Sequence, residues 1–311
     1  MISRNLLILH MPGSQDIADW LAIKEKIEQR APDIEVRIAG GDPDENAVLQ
    51  QWQITRPSVV FCPVHSHWYK PLGGSVYVGR NLSKLDQAAR LSQNRIPFPL
   101  TAKYRPGLSL ATAEWGPYVV LKPSRGSHGR GIYLVRTEAI AHVGPELLPA
   151  DDAEAIVQRY VDHTDETGHL ADYRVLTMFG RPLFVQRRRL VDPRPPLEEI
   201  ARLDPGSIAM NQVSHKRTRQ YVDAPEIFDF ARRVAMAFRP IPCLGIDIIR
   251  ERDTGRIFVL EVNPGGNVWQ LSSDFTKEKW PEEDRAGAYA QFGALDIAAD
   301  LLVSVTREHA A

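Results

Sequence analysis

Gly245-Ile246-Asp247-Ile248-Ile249 and, after a short gap, Phe258-Val259-Leu260-Glu261-Val262-Asn263-Pro264-Gly265-Gly266-Asn267 are the two stretches that decide the fold. Side chains alternate along a strand, so Glu261 and Asn263 share one face while Leu260 and Val262 are expected to face a core. Asp253-Thr254-Gly255 between the runs reads as the loop of a hairpin. Pairing the runs brings Asp247 onto the face of Glu261. Three hard oxygen donors then converge on an otherwise apolar sheet, a ligand set that suits Mg²⁺ (or Mn²⁺) completed by phosphate oxygens and water. Burying the two carboxylates without a cation would be costly. The alternative is that both acids pair with nearby arginines.

Upstream, Val119-Val120-Leu121-Lys122-Pro123 leads into Ser124-Arg125-Gly126-Ser127-His128-Gly129-Arg130-Gly131. A strand delivers Lys122 to a loop whose glycines let backbone approach a polyphosphate, and the lysine supplies a point charge for it. No Gly-Lys-Ser/Thr opens a helix here, so this is not a P-loop. Taken alone the loop reads equally as a flexible turn. Its order ahead of the carboxylate strands gives it weight.

The chain begins with alternating elements: a buried strand at 6–9, a helix carrying Ile17, Trp20, Leu21 and Ile27 on one face, and a strand through Ile34, Val36 and Ile38. A second helix is expected at 42–54, capped by Asp42 or Asp44, and a third strand at Ser58–Cys62. That is a parallel β-α-β-α-β unit. No G-x-G-x-x-G follows a strand, so a dinucleotide site is not expected there. Residues 63–79, with His65, His67, Trp68 and Tyr69, read as a glycine- and aromatic-rich loop. A helix follows at 83–94. Strands are expected at 132–135 and 156–161, and a hairpin of 173–178 with 182–189. Residues 193–206 read as an irregular excursion. Ile227, Phe230, Ala231, Val234 and Phe238 mark an amphipathic helix, and 285–305 a closing helix.

The 311 residues suit two or three lobes, and 43% apolar with 25% charged content is ordinary for a globular protein. A net charge of −1 gives no basic surface for nucleic acid. The apolar runs are strand-sized, and the first is cut short by His10, Pro12 and Asp16, so neither a membrane span nor a signal segment is expected. Cys62 and Cys243 lie in apolar runs and read as buried thiols of a cytoplasmic protein.

The order of these features resembles the ATP-grasp superfamily over residues 80–273: a lysine helix before Ile96-Pro97-Phe98-Pro99, Lys122-Pro123 with its glycine loop, Val157-Gln158-Arg159-Tyr160-Val161, Asp172-Tyr173-Arg174, Gly245-Ile246-Asp247, and Leu260-Glu261-Val262-Asn263-Pro264. The resemblance implies an α/β and α+β chain. Residues 1–80 would form a pre-grasp domain, 81–157 a central lobe with the phosphate loop, and 158–311 a large lobe. It implies ATP held by Lys84 and Lys122, by Gly126, Ser127, Gly129 and Gly131, and by a hinge at Gln158, Arg159, Tyr160 and Val161. Asp172 and Arg174 would sit near ribose and phosphates, and the metal on Asp247, Glu261 and Asn263. Within the superfamily the chain is most similar to ribosomal-protein glutamate ligases and related peptide-forming ligases. D-alanine ligases carry an arginine where this chain has Gly245, which argues against that activity. The arginine that steadies the reacting carboxylate is then expected among Arg187, Arg188 and Arg189, with Arg187 and Arg189 foremost, or from Lys216 and Arg217. The implied function is an ATP-dependent carboxylate–amine ligase acting through an acylphosphate on small-molecule or peptide substrates, compatible with a homo-oligomer. The alternative is an ATP-binding, noncatalytic member of the same fold.

Overall fold

The computed structural model describes residues 1–40, 43–65, 68–126, 131–143, 154–201, 216–264, 273–279 and 282–311. The N-terminal unit runs β1 (Arg4–Leu9), α1 (Ile17–Arg30), β2 (Ile34–Ala39), α2 (Pro43–Gln53), β3 (Ser58–Cys62) and β4 (Ser75–Val78). The strands form a parallel sheet in the order β2-β1-β3-β4. Asp16 caps α1 by accepting the Ala18 N–H. Of the two caps expected for α2, Asp44 lies inside the helix and Asp42 outside the described residues. β4 falls inside the stretch expected to be loop. It has four residues between Gly74 and Gly79, too few to display a period. Gly74, at φ +76, closes so tightly on β3 that a Cβ there would meet the Ser58 carbonyl at 2.7 Å.

Next come α3 (Lys84–Gln93), β5 (Thr101–Lys103), α4 (Thr112–Trp115), β6 (Tyr118–Pro123), β7 (Tyr133–Arg136), a 3₁₀ turn at Thr137–His142, and β8 (Ala155–Arg159). Ser83 and Asp86 form a reciprocal capping box on α3. β5-β8-β6-β7 make a second, antiparallel sheet. Val119, Leu121 and Val157 face a small core with Trp115 and Ile140. The alternate residues Val120, Lys122 and Gln158 therefore face the opposite way.

The third part contains β9 (Ala171–Met178), β10 (Arg181–Leu190), α5 (Leu197–Ile200), β11 (Arg217–Tyr221), α6 (Pro225–Ala237), β12 (Cys243–Arg250), β13 (Ile257–Asn263), α7 (Asp274–Lys279), α8 (Glu282–Phe292) and α9 (Ala294–His309). Its antiparallel sheet has the order β11-β10-β9-β12-β13. One face, with Val175, Val185, Ile246, Val259 and Val262, is covered by Ile227, Phe230 and Val234 of α6, and Leu91 of α3 joins that core. On the other face Leu176, Met178, Phe184 and Cys243 pack against β1, β3 and α9. Beyond this apolar end the same face turns polar, and there the site is built. The single closing helix expected at 285–305 is two helices, α8 and α9. Gly293 separates them in the left-handed region at φ +60, a conformation that costs glycine little. Among the described residues no helix is long and apolar enough to cross a membrane.

Candidate active site

β12 and β13 pair with Asp247 opposite Glu261 and Gly245 opposite Asn263, so the carboxylates are cross-strand neighbours. The register then slips: Ile248 pairs with Val259, and Leu260 is left over as a bulge. The bulge corrects the simple alternation. Val259 and Val262 enter the α6 core, while Leu260 joins Val161, Ile249 and Phe258 beside the carboxylates. Asn263 Nδ2 donates to the Gly245 carbonyl and to Asp247 Oδ2, each at 3.3 Å. That leaves its amide oxygen as the group able to bind a cation. β13 is held from outside by Gln87 of α3, whose Oε1 accepts the Val262 N–H at 3.0 Å. Just past its end, the Arg80 N–H donates to the Pro264 carbonyl at 2.8 Å.

Asp247 is 8% exposed and sits among cations. Arg174 donates to Oδ2 at 3.1 Å and Arg188 to Oδ1 at 2.7 Å. Arg188 also grips Asp172 with two bonds of 2.6 Å. Burial pushes the Asp247 carboxyl above its ordinary pKa, against the pull of Arg174 and Arg188. Burial likewise opposes the charge of Arg188, but Asp172 and Asp247 outweigh it and hold its pKa above the usual value. Asp247 thus does pair with arginines, as the alternative reading anticipates, whereas Glu261 pairs with Lys84 at 3.1 Å. A carboxylate can accept about four bonds, so neither is closed to a metal. Among the described residues no group of three or more His, Cys, Asp or Glu side chains is arranged to hold a metal. The set here is two carboxylates and an amide, and its chemistry fits Mg²⁺.

The second sheet faces this surface. Lys122 is 6% exposed and donates to Gln158 Oε1 at 2.8 Å. Burial lowers its pKa to about 8, with Glu261 and Asp247 opposing the shift. Lys84, the first residue of α3, donates its N–H to the Ser124 carbonyl at 2.8 Å, and its Nζ lies 3.5 Å from the Gly126 carbonyl. The start of α3, the glycine loop and β13 are therefore joined at one place. A narrow cavity there is lined by Lys84, Gln87, Phe98, Lys122, Gln158, Leu260 and Glu261. Gly126 and Gly131 both have positive φ. Ser127 and Gly129 lie outside the described residues.

The remaining expected residues divide. Val161 packs beside Leu260. Arg159 pairs with Glu251 at 3.1 Å. The Tyr160 ring enters an apolar cluster with Tyr118, Leu134, Leu170 and Leu190, and burial raises the pKa of its hydroxyl. Gln158 meets Lys122 through its side chain. The arginine triplet alternates: Arg188 faces the carboxylates, while Arg187 and Arg189 contact Asp165 at 3.6 and 2.6 Å. Arg219 pairs across from Arg188 and Arg217 across from Leu190, so both share the face of Arg188. Burial, then Arg219 and Arg188, lower the Arg217 pKa to about 10. Lys216 is exposed just before β11. Of the irregular excursion expected at 193–206, α5 carries Leu197 and Ile200 into the Tyr118 cluster, and Glu198 accepts the Tyr118 hydroxyl at 2.9 Å. Residues 202–215 lie outside the described residues.

No family model matches this chain, and no curated protein matches it by sequence. Solved structures match it over nearly their whole length. The ATP-grasp ligase PsnB complexed with a minimal precursor aligns at a TM-score of 0.56 with 14% identity, covering 96% of this chain and 98% of its own. The same ligase with minimal precursor, Mg and ADP aligns at 0.53 with 15% identity and 97% coverage of both chains. D-alanine–D-alanine ligase from Bacillus anthracis aligns at 0.50 with 15% identity and 99% coverage of both. These alignments extend over nearly the whole chain, and by them this chain has the ATP-grasp fold.

Proposed function

We propose that this chain is an ATP-dependent carboxylate–amine ligase working through an acylphosphate. The observation that carries the reading is that Glu261, with Asp247 and Asn263 beside it on the β12–β13 pair, lines one narrow cavity together with Lys84 and Lys122 between two antiparallel sheets. Lys84, Lys122, Arg174, Arg188 and Arg217 outnumber Asp172, Asp247 and Glu261 on the facing surfaces, which favours a polyanion. Mg²⁺ on Asp247, Glu261 and Asn263 would neutralise β- and γ-phosphate charge.

The chain's own part in such a reaction is alignment and charge neutralisation rather than covalent help. Lys84 and Lys122 hold phosphate oxygens. Leu260 and Phe98, which line the cavity, offer an apolar surface to the base. Arg188, fixed by Asp172 and Asp247, is the arginine best oriented toward charge developing on the transferred phosphoryl group, with Arg217 next to it on the same face. A substrate carboxylate oxygen attacks the γ-phosphorus and the bond to the β-bridging oxygen breaks, releasing ADP. An amine then attacks the acyl carbon, loses its proton and expels phosphate. Gly245 in the place of an arginine supports a substrate pair other than two D-alanines.

PsnB was solved with a precursor, so peptides with side-chain or terminal carboxylates belong in the first substrate pool beside small acids. The test is release of ADP and phosphate from Mg·ATP with pooled carboxylates and amines. Release that requires one member of each pool supports the ligase. Tight ATP binding with no turnover in any pool, in a protein that melts cooperatively, supports the noncatalytic alternative.

A further inference from the structure

The N-terminal sheet ends at β2, and no strand pairs with its outer edge among the described residues. A groove of about 600 Å³ follows that edge, floored by Val36 and Ile38, with Leu21 of α1 on one wall and Val48 of α2 on the other. Leu21 is 52% exposed and Val48 64%. An open edge flanked by exposed apolar side chains is the kind of surface proteins either blunt or use.

The backbone fixes how it could be used. The Asp33 carbonyl accepts from Arg4 N–H at 3.2 Å and the Ala39 carbonyl from His10 N–H at 2.8 Å. A strand residue sends its N–H and C=O to the same side, so the odd-numbered residues of β2 bond to β1 and the even-numbered ones face outward. Val36 and Ile38 thus present both groups. Ile34 presents its carbonyl, its N–H being donated to Ala31 at 2.9 Å.

Two copies meeting edge to edge about a two-fold axis must oppose even residues to even residues. With Val36 opposite Val36, Ile34 meets Ile38 and Glu35 meets Arg37, the last as a pair without backbone bonds, where side chains approach most closely. One permitted step either way sets Glu35 against Glu35, or Arg37 against Arg37. Charge therefore selects one register, and a second copy of this chain satisfies it. Glu35 and Arg37 already touch at 3.2 Å within one chain, and Arg37 lies 4.7 Å over Trp52. Pairing would extend that contact into an alternating cluster. An axis perpendicular to the sheet also brings α1 beside α1 and α2 beside α2, covering Leu21 and Val48.

We propose that β2 is a dimerisation edge, on which a second copy of this chain pairs antiparallel with Val36 opposite Val36 to make one sheet across two N-terminal units. The test is sedimentation equilibrium of the full chain at micromolar concentration. The wild type is expected at the dimer mass. Arg37→Glu, which opposes two acids at both ends of the pairing, is expected at the monomer mass with a cooperative melt. Glu35→Lys alone is also expected to be monomeric, and mixing it with Arg37→Glu restores a heterodimer, because each acid then meets a base. Glu35 also holds Arg56 and Trp52. Where Glu35→Lys does not fold, Val48→Glu on the exposed α2 wall serves as the second monomerising variant. A monomeric wild type overturns the proposal, as does a dimer that survives both Arg37→Glu and Val48→Glu. So does a monomer whose amides at 34–39 gain protection from exchange only when an extended peptide is added, which would assign the groove to a peptide.

Discussion

Replacing Arg188 by methionine removes the centre of the buried network while keeping much of its volume. Arg188 makes two bonds to Asp172 at 2.6 Å and one to Asp247 at 2.7 Å, and the side chains involved are 10%, 4% and 11% exposed. Removing one partner from such a pair costs about 3–5 kcal/mol, because a charge stays buried without compensation. Asp247 keeps Arg174 and Asn263, so the penalty falls mainly on Asp172. Chemical denaturation of Arg188→Met should show a loss in that range. Adding Asp172→Asn, which removes the orphaned charge, should recover a large part of it. The two substitutions must therefore be strongly non-additive, as residues sharing one network are. Additive losses, or an Arg188→Met protein as stable as the wild type, would refute the view that this arginine is held by Asp172 and Asp247.

Lys122→Ala should weaken ATP binding about tenfold or more, through loss of a charge-assisted contact of about 1.5–3 kcal/mol. In the wild type the free lysine has a pKa lowered to about 8 and phosphate binds its protonated form, so calorimetry should find affinity falling, and proton uptake growing, as pH rises through about 8. Glu261→Gln and Asn263→Ala should fold, since Val259 and Val262 make the packing of β13, yet lose ADP release; normal turnover in both removes the metal-site reading. Gly79→Ala places a Cβ 2.6 Å from the Val64 carbonyl carbon and 2.8 Å from the Pro264 oxygen, both backbone, so a melt should show about 1–3 kcal/mol lost and turnover should fall with it. Arg217→Ala should raise the requirement for the carboxylate substrate while leaving ATP affinity nearly intact, and unchanged kinetics for that substrate would separate Arg217 from it.

The carboxylate strands were legible because Asp247, Glu261 and Asn263 interrupt runs that are otherwise apolar. The parallel β-α-β-α-β unit was legible by its periodicity. The bulge at Leu260 was not legible: an extra residue in one strand changes the register without changing the composition. The phase of Arg187, Arg188 and Arg189 was hidden for a related reason. Both faces of β10 are covered, with Phe184 and Val185 each buried on opposite sides, so no apolar–polar alternation indicates which arginine turns toward Asp247. Gly293 did not register as a break because an isolated glycine is tolerated within a helical pattern. β4 was too short to carry a period. Arg219 beside Arg188 became a neighbour only through strand pairing, which local sequence does not encode.

Heavy-oxygen labelling tests phosphoryl transfer to a carboxylate at the atom that moves. Once pooled substrates yield an active pair, the carboxylate is labelled and the released phosphate is weighed by mass spectrometry. One labelled oxygen is expected in each phosphate, carried from the carboxylate through the acylphosphate, with labelled phosphate absent when Glu261 is replaced by glutamine. Unlabelled phosphate formed in step with the amide product would contradict it.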